Sequence, residues 1–404
     1  MWLHLLIGPQ ELLSLFELRV PSPNRERRAL TGAATNGELR RAARRALPRT
    51  IFDFIGGGAE DEVALRRNRE AFDRLEFRPR LLRDASKTEI ATSILGVPSV
   101  APIALAPTGL TGLIHHGGES AVARGAVSAG VPYPIATMSS VPLEEVAAEM
   151  PGPKIFQLYM LRDRGVCLQL LERAQAAGCT ALILTVDSQV SGLRERDLRN
   201  GLTIPPTIRL RVLVDGLFHP GWSWRFARAP EITFANLDFV GERSSLVGYV
   251  ARELDTSISW DTLDWLREHW PGRLALKGVL TVADAREAVG HGVDAIVVSN
   301  HGGRQLGTVT PPIEMVPAIV AALEGTAEVL VDSGVRRGAD VVKAVALGAQ
   351  GCLVGRPYLY GLAAAGEAGV VRSLEILIEE VRRTMVLLGA PRLEELDPTL
   401  ITPA

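Results

Sequence analysis

The chain has 404 residues, 47% of them hydrophobic and 22% charged, with a net charge of −2. That composition is globular with ample core, and it gives no general attraction to nucleic acid. Three scattered cysteines, Cys167, Cys179 and Cys352, exclude a disulfide framework and a cysteine zinc site.

Residues 1–36 read as a leader, disordered or irrelevant to the fold. The apolar run "MWLHLLIGPQ" is broken by Gly8 and Pro9, has no basic lead and is too short to span a membrane. Residues 37–80 have helical patterning and read as a cap, with the basic run "RRAARR" (40–45) as a solvated face. From residue 100, short β-rich runs alternate with amphipathic stretches. The predicted strands are 102–107, 132–137, 154–159, 181–186, 273–277, 294–299, 328–332 and 351–355. Helices are predicted at 118–130, 142–149, 165–177, 260–270, 281–291, 313–324 and 338–348. Continuous apolar strands separated by helices argue a parallel sheet covered on both faces. Eight such units argue an α/β fold closed as a (β/α)8 TIM barrel, one domain over 37–395 with a tail at 396–404. Residues 200–255 interrupt the alternation between the fourth and fifth strands. This insertion contains "HPGWSWRF" (219–226), which suits either a membrane or partner surface or packing on the barrel.

The predicted strands end in polar residues, including Thr108, Gln157, Tyr159, Thr185, Asp187, Lys277, Ser299, His301, Asp332 and Arg356. In a barrel these ends form one rim, where such enzymes carry their sites. "VDSGVRRGAD" (331–340) and "VGRP" (354–357) follow strands seven and eight, and glycine amides beside arginines there make a phosphate grip. No GxGxxG opens a dinucleotide-binding helix. In "SNHGGRQL" (299–306), His301 suits a general base and Arg304, three residues on, suits a carboxylate clamp. That pairing is what oxidation of a 2-hydroxy acid needs. Lys277 requires an anion, either a reduced flavin or a salt bridge to Asp332 or Asp187. Asp187 is placed to pair with the base.

With "GGAEDEVALRRNREAFDRLEFRPRLL", "APTGLTGLIHHGGESAVARGA", "FQLY", "TVDS", "RERDLRNG", "LKGVLTVADAREAV", "SNHGGRQL", "DSGVRRGADVVKAVALGA" and "VGRP" in hand, the chain resembles the FMN-dependent 2-hydroxy acid oxidases and dehydrogenases. The likeness runs from about residue 37 to 395. It implies FMN at the barrel rim. Ala106, Pro107, Thr108, Gln157, Thr185, Lys277 and Ser299 would lie against the flavin and ribityl region. Asp332, Gly334, Arg336, Gly355 and Arg356 would hold the ribityl chain and phosphate. His301 would be the base, Asp187 its partner and Arg304 the carboxylate clamp. Arg194 would be a second arginine near the substrate, and Tyr159 would meet its hydroxyl. The likeness also implies a homo-oligomer, a tetramer in many members, and a cytoplasmic enzyme. The insertion resembles the long loop of bacterial lactate dehydrogenases that pass electrons to a membrane quinone. Residues 205–245 would then give peripheral contact with the inner membrane face. Oxygen, a quinone or a carrier protein are all open as electron acceptor.

Several positions depart from the family pattern. Phe54 stands where many members have tyrosine, Met138 where glycolate oxidase has tryptophan, and Ala136 where a serine contacts flavin. Ser188-Gln189 replaces Thr-Pro, and Gly307 replaces aspartate. These changes suggest a remodelled, more apolar pocket. They leave open the oxidation of a larger amine, alcohol or peptide end of a natural product. A non-catalytic FMN-binding module is a further alternative, against which the intact polar set argues.

Overall fold

The computed structural model describes residues 25–201, 210–229, 231–240 and 253–403. Eight parallel strands make the barrel: β1 (Ile103–Leu105), β2 (Pro134–Ala136), β3 (Lys154–Leu158), β4 (Cys179–Thr185), β5 (Arg273–Val279), β6 (Ala295–Val298), β7 (Glu328–Val331) and β8 (Gly351–Val354). From β2 to β8 each strand pairs with the next in sequence, and β8 pairs with β1 through Leu353 opposite Ala104. The Leu105 amide donates to Pro132 O at 2.9 Å across the remaining seam, beside β2.

The packing follows from the strand sequences. On β4, Ala181 and Ile183 point into the lumen, while Leu182 and Leu184 face the surrounding helices. The lumen is filled largely by small and branched residues, among them Ala104, Ala275, Ala295, Val297 and Leu330. A hairpin, Thr92–Ile94 with Val97–Ser99, brings Ile94, Leu95 and Val97 into this same cluster. A barrel with a packed interior has its room for chemistry at the rim.

The sequence-predicted strands and helices all recur within about two residues at most ends, as expected of strongly periodic segments. The differences lie elsewhere. Arg25–Thr31 is helical, Ala33 and Asn36 are buried, and Ala33 O accepts from the Arg372 guanidinium, so the expected leader ends in structured chain. Residues 1–24 lie outside the described residues. The expected tail instead pairs Ile401–Pro403 antiparallel to Leu75–Phe77. The helix after β8 runs Arg356–Leu388, broken at Ala365 and Gly366, where the Gly366 φ of 60° ends the first segment. A Cβ on Gly366 would meet the His115 ring at 2.9 Å.

In the cap, the basic run falls in helix Asn36–Ala46. Its start is fixed by a reciprocal Thr35–Glu38 capping box, and Arg40, Arg41, Arg44 and Arg45 are exposed, as a solvated face requires. The next cap helix, Arg49–Gly56, carries Phe54 to the rim. The insertion divides in two. Its later part packs on the barrel: Leu237 is buried, and Asn236 donates to Ala136 O at 3.1 Å. Its earlier part forms helices Leu210–Leu217 and Pro220–Arg228, with Leu217, Phe218 and Trp224 exposed.

Candidate active site

The rim of the barrel gathers the expected residues. His301 follows β6 and Asp187 follows β4, and His301 Nδ1 lies 3.0 Å from Asp187 Oδ1. Ser188 Oγ is 3.2 Å from the same nitrogen. Ser188 thus serves the histidine, a role its sequence position did not reveal. Burial works to raise the Asp187 pKa, but His301 and then Lys277 outweigh it and hold it at about 2. Asp187 Oδ2 is buried with no hydrogen-bond partner among the described residues.

Lys277 points inward from β5 and is 4% exposed. Its Nζ donates to Ser299 Oγ at 2.9 Å and pairs with Asp332 Oδ2 at 3.2 Å. Burial alone would lower its pKa; Asp332 and Asp187 reverse that and raise it to about 12. The salt bridge foreseen as an alternative is therefore present. An ammonium has three donors, so these two partners leave one for a bound group. Tyr159 follows β3, and burial pushes its phenol pKa up. On the same strand, Gln157 Nε2 donates to Thr185 Oγ1 at 3.1 Å.

The arginines form a second group. Arg304 donates to Phe54 O at 2.7 Å and Gly57 O at 3.1 Å, with its guanidinium carbon 5.3 Å from the Phe54 ring centre. Arg356 donates to Ile55 O, Gly57 O and Gly302 O at 2.8–3.0 Å. Arg336 donates to Val335 O at 2.7 Å. Burial and the neighbouring Arg194 and Arg356 push the Arg304 pKa down to about 9. Burial and Arg356 bring Arg336 to about 10. An arginine keeps its proton at ordinary pH. The downward push therefore reflects burial first and charge crowding second, and a bound anion would offset both. Arg194 is tied to Asp197 at 3.1 Å at the start of helix Glu195–Asn200.

The loops complete the rim. Tyr358 Oη donates to Ala106 O at 3.0 Å and bonds Thr108 Oγ1, fixing the Ala106-Pro107-Thr108 turn. Gly355 caps the helix that begins at Arg356, whose N-terminus adds to the anion-binding character of this corner. At Gly334 (φ 104°) a Cβ would lie 2.4 Å from Asn68 O, so only glycine allows the cap to approach. Gly109 is equally constrained, its Cβ position being 2.1 Å from Met138 O. Gly307 has a similar reason: Glu60 fills the space, with Oε2 2.3 Å from the Cβ position, where an aspartate would add a like charge.

Three arginines bonded to carbonyls, with Arg356 buried and Arg304 and Arg336 half-buried, a lysine with a donor to spare and a set of bonded loop carbonyls suit a phosphate and a polar heterocycle. The FMN-dependent dehydrogenase profile matches residues 43–403. The chain belongs to the FMN-dependent dehydrogenase family. FMN is accordingly its cofactor, and the chain is a flavin-dependent oxidoreductase. The chain is 44% identical over 398 residues to a putative L-lactate dehydrogenase of Mycobacterium tuberculosis, spanning 97% of this chain and 95% of that one. The crystal structure of the monotopic membrane protein (S)-mandelate dehydrogenase superposes with a TM-score of 0.88 at 38% identity, covering 92% and 100% of the two chains. A mandelate oxidase with (S)-4-hydroxymandelic acid gives 0.80 at 43% identity, covering 92% and 98%. Among the described residues, no acidic, histidine or cysteine cluster could hold a metal.

Sequence reasoning missed Ser188, Ser333, Asn300 and Asn68, which bond the histidine or its turn. The signal for Asn300 was its place inside "SNHGG". Asn68 had none, because its partner is 232 residues away.

Proposed function

We propose that this flavoprotein oxidises a 2-hydroxy acid to the 2-oxo acid, with His301 as base. The observation that carries this is the His301–Asp187 pair, three residues before a half-buried arginine whose side-chain hydrogen bonds, among the described residues, run to carbonyls. When bound, FMN would supply an acceptor for the two electrons and one of the two protons that the substrate loses. Arg304, with Arg194 beside it, holds the substrate carboxylate in a bidentate fork. Tyr159 meets the substrate hydroxyl. His301 takes one proton, and Asp187 stabilises the imidazolium that results, as in other carboxylate–histidine pairs. Arg336 and Arg356 would hold the FMN phosphate and Asp332 the ribityl chain, while Lys277, bonded to Ser299, would offer its remaining donor to the flavin.

Phe54 and Met138 offer apolar walls, so the substrate side chain is apolar. Lactate and mandelate mark the small and aryl ends of that class, as the relatives' substrates suggest. The test is anaerobic reduction of bound FMN, followed by its visible absorbance, over 2-hydroxy acids from glycolate to aryl-lactates. Rapid bleaching by one side-chain class supports the reading. Bleaching by none of them, with FMN bound, sinks it and favours an amine, alcohol or peptide end.

The acceptor we propose is a quinone reached by peripheral membrane docking. Leu217 and Phe218 are 78% and 77% exposed, and Trp224 and Phe226 share the next helix with Arg225 and Arg228. Apolar side chains flanked by arginine suit the interface of an anionic bilayer. No described helix is long and apolar enough to cross a membrane. Co-flotation with anionic vesicles, lost on Phe218→Ser with Trp224→Ser, checks this. Oxygen consumption at the rate of flavin reduction would count for an oxidase instead. Sedimentation tests the tetramer.

A further inference from the structure

The turn that carries His301 is left-handed over three successive residues: His301 (φ 57°), Gly302 (68°) and Gly303 (72°). Glycine enters this region freely, but histidine does not, so the turn must be held by its surroundings. A side-chain oxygen meets each amide. His301 N donates to Ser299 Oγ at 3.0 Å, Gly302 N to Ser333 Oγ at 2.8 Å and Gly303 N to Asn300 Oδ1 at 3.0 Å. Asn300 is locked by a reciprocal amide pair with Asn68, at 2.7 and 2.8 Å.

Ser333 stands out among these acceptors. It is itself left-handed, at φ 70°, and buried. Glycine would fit that backbone with less strain, so the position keeps serine for its hydroxyl. That hydroxyl donates to Asp332 Oδ1 at 2.6 Å while accepting from Gly302. Asp332 Oδ2 in turn pairs with Lys277. One hydroxyl thus joins the Lys277–Asp332 pair to the turn that carries the histidine.

We propose that Ser333 is a positioning residue for His301, acting through the Gly302 amide. This rests on the reading of His301 as base. Ser333 bonds the turn, not the imidazole, so its loss removes neither the base nor its aspartate but lets the turn shift. Small displacements of a reacting group lower the rate steeply.

Ser333→Gly and Ser333→Ala both remove the hydroxyl, and only the first relieves the strain. Both should lower the limiting rate of FMN reduction by about 10-fold or more. The dissociation constant for the 2-oxo acid product should stay within about two-fold of the parent's, because Arg304 is untouched. In the FMN-free proteins the Gly302 amide should exchange with deuterium faster than in the parent. Ser333→Gly should melt at or above Ser333→Ala. A parental reduction rate in Ser333→Gly overturns the proposal, as does unchanged Gly302 exchange. Loss of FMN with a parental rate per bound flavin overturns it too, assigning the hydroxyl to cofactor retention. If the parent is reduced by no 2-hydroxy acid, the functional reading fails instead. The exchange measurement on FMN-free protein would still decide whether Ser333 holds the turn.

Discussion

Around His301, charges are matched within the protein: Asp187 faces the imidazole and Lys277 faces Asp332. A few residues away, the side-chain hydrogen bonds of Arg304, Arg336 and Arg356 run to backbone carbonyls, and each arginine is pushed downward by burial and its neighbours. In the first region the charges are paired without a ligand, and what is left over is one Lys277 donor and Asp187 Oδ2, which has no partner among the described residues. The second concentrates positive charge in a place of low dielectric, and an anion binding there replaces repulsion with attraction. On the proposed reading, chemistry that must be pre-aligned would sit in the paired region, and recognition of carboxylate and phosphate in the crowded one.

The largest expected effect breaks the paired side. His301→Ala should slow FMN reduction by about 10²–10⁴-fold, the usual worth of a positioned base. Binding of the 2-oxo acid, seen as a change in the flavin spectrum, should survive. Parental reduction would remove His301 from the role of base. The crowded side should fail differently. Arg304→Met should weaken substrate and product binding by about 10–100-fold, from the loss of a charged hydrogen bond worth roughly 1.5–3 kcal/mol. Steady-state KM and a product titration check this. Inorganic phosphate should also stabilise FMN-free protein, by about 1.4 kcal/mol at ten times its dissociation constant. Thermal melting should show that gain in the parent and lose it in Arg336→Met.

The same contrast explains what could be read from sequence. The barrel was legible because its strands and helices are strongly periodic and local. His301 and Arg304 were legible because they share one short segment at a strand end. The C-terminal strand was not, because Ile401–Pro403 is ordered only by pairing with Leu75–Phe77 more than 300 residues earlier. Nor was the support of the His301 turn. Ser333, on another loop, and Asn68, on a cap helix, reach it only after folding. The pairing of Lys277 with Asp332 was open until their geometry decided it. The insertion's two halves differ for a local reason: Leu237 and Asn236 meet the barrel, while Leu217, Phe218 and Trp224 are exposed among the described residues.

A smaller effect sharpens the paired side through pH. The folded pKa of Asp187, about 2, is below its ordinary value of 3.8. A depressed carboxylate stabilises the fold above its unfolded pKa and loses that contribution as pH falls through the folded one. The window is therefore about pH 4 down to about 2, and the contribution is about 2 kcal/mol. Asp187→Asn should flatten the stability-versus-pH curve there, measured by denaturant unfolding. Lys277 works in the opposite direction. Its raised pKa, about 12, keeps its contribution intact below the ordinary 10.5 and gives it up only as pH climbs through the folded value. Denaturation near neutral pH should therefore not report on either group's titration. An unchanged acid limb in Asp187→Asn would mean that the Asp187–His301 contact contributes little to the fold.

The smallest expected effect tests the border between the two regions, at Phe54. Its carbonyl accepts from Arg304 and its ring lies beside the same guanidinium. The residue thus helps hold the clamp through backbone and ring, with no polar side-chain atom of its own. Phe54→Tyr adds one hydroxyl at the ring edge without removing the Arg304 contacts. If that hydroxyl reaches the substrate carboxylate, it contributes roughly 0.5–1.5 kcal/mol, and KM for a small 2-hydroxy acid falls by about 2- to 10-fold. The limiting rate of reduction stays the same, because the hydrogen bond is made equally in ground and transition states. A bulky aryl substrate should gain less, since the new oxygen narrows an apolar wall. Steady-state kinetics with lactate and mandelate side by side measure both effects. A fall in the limiting rate with KM unchanged would instead place Phe54 among the groups that align the turn, on the paired side of the rim.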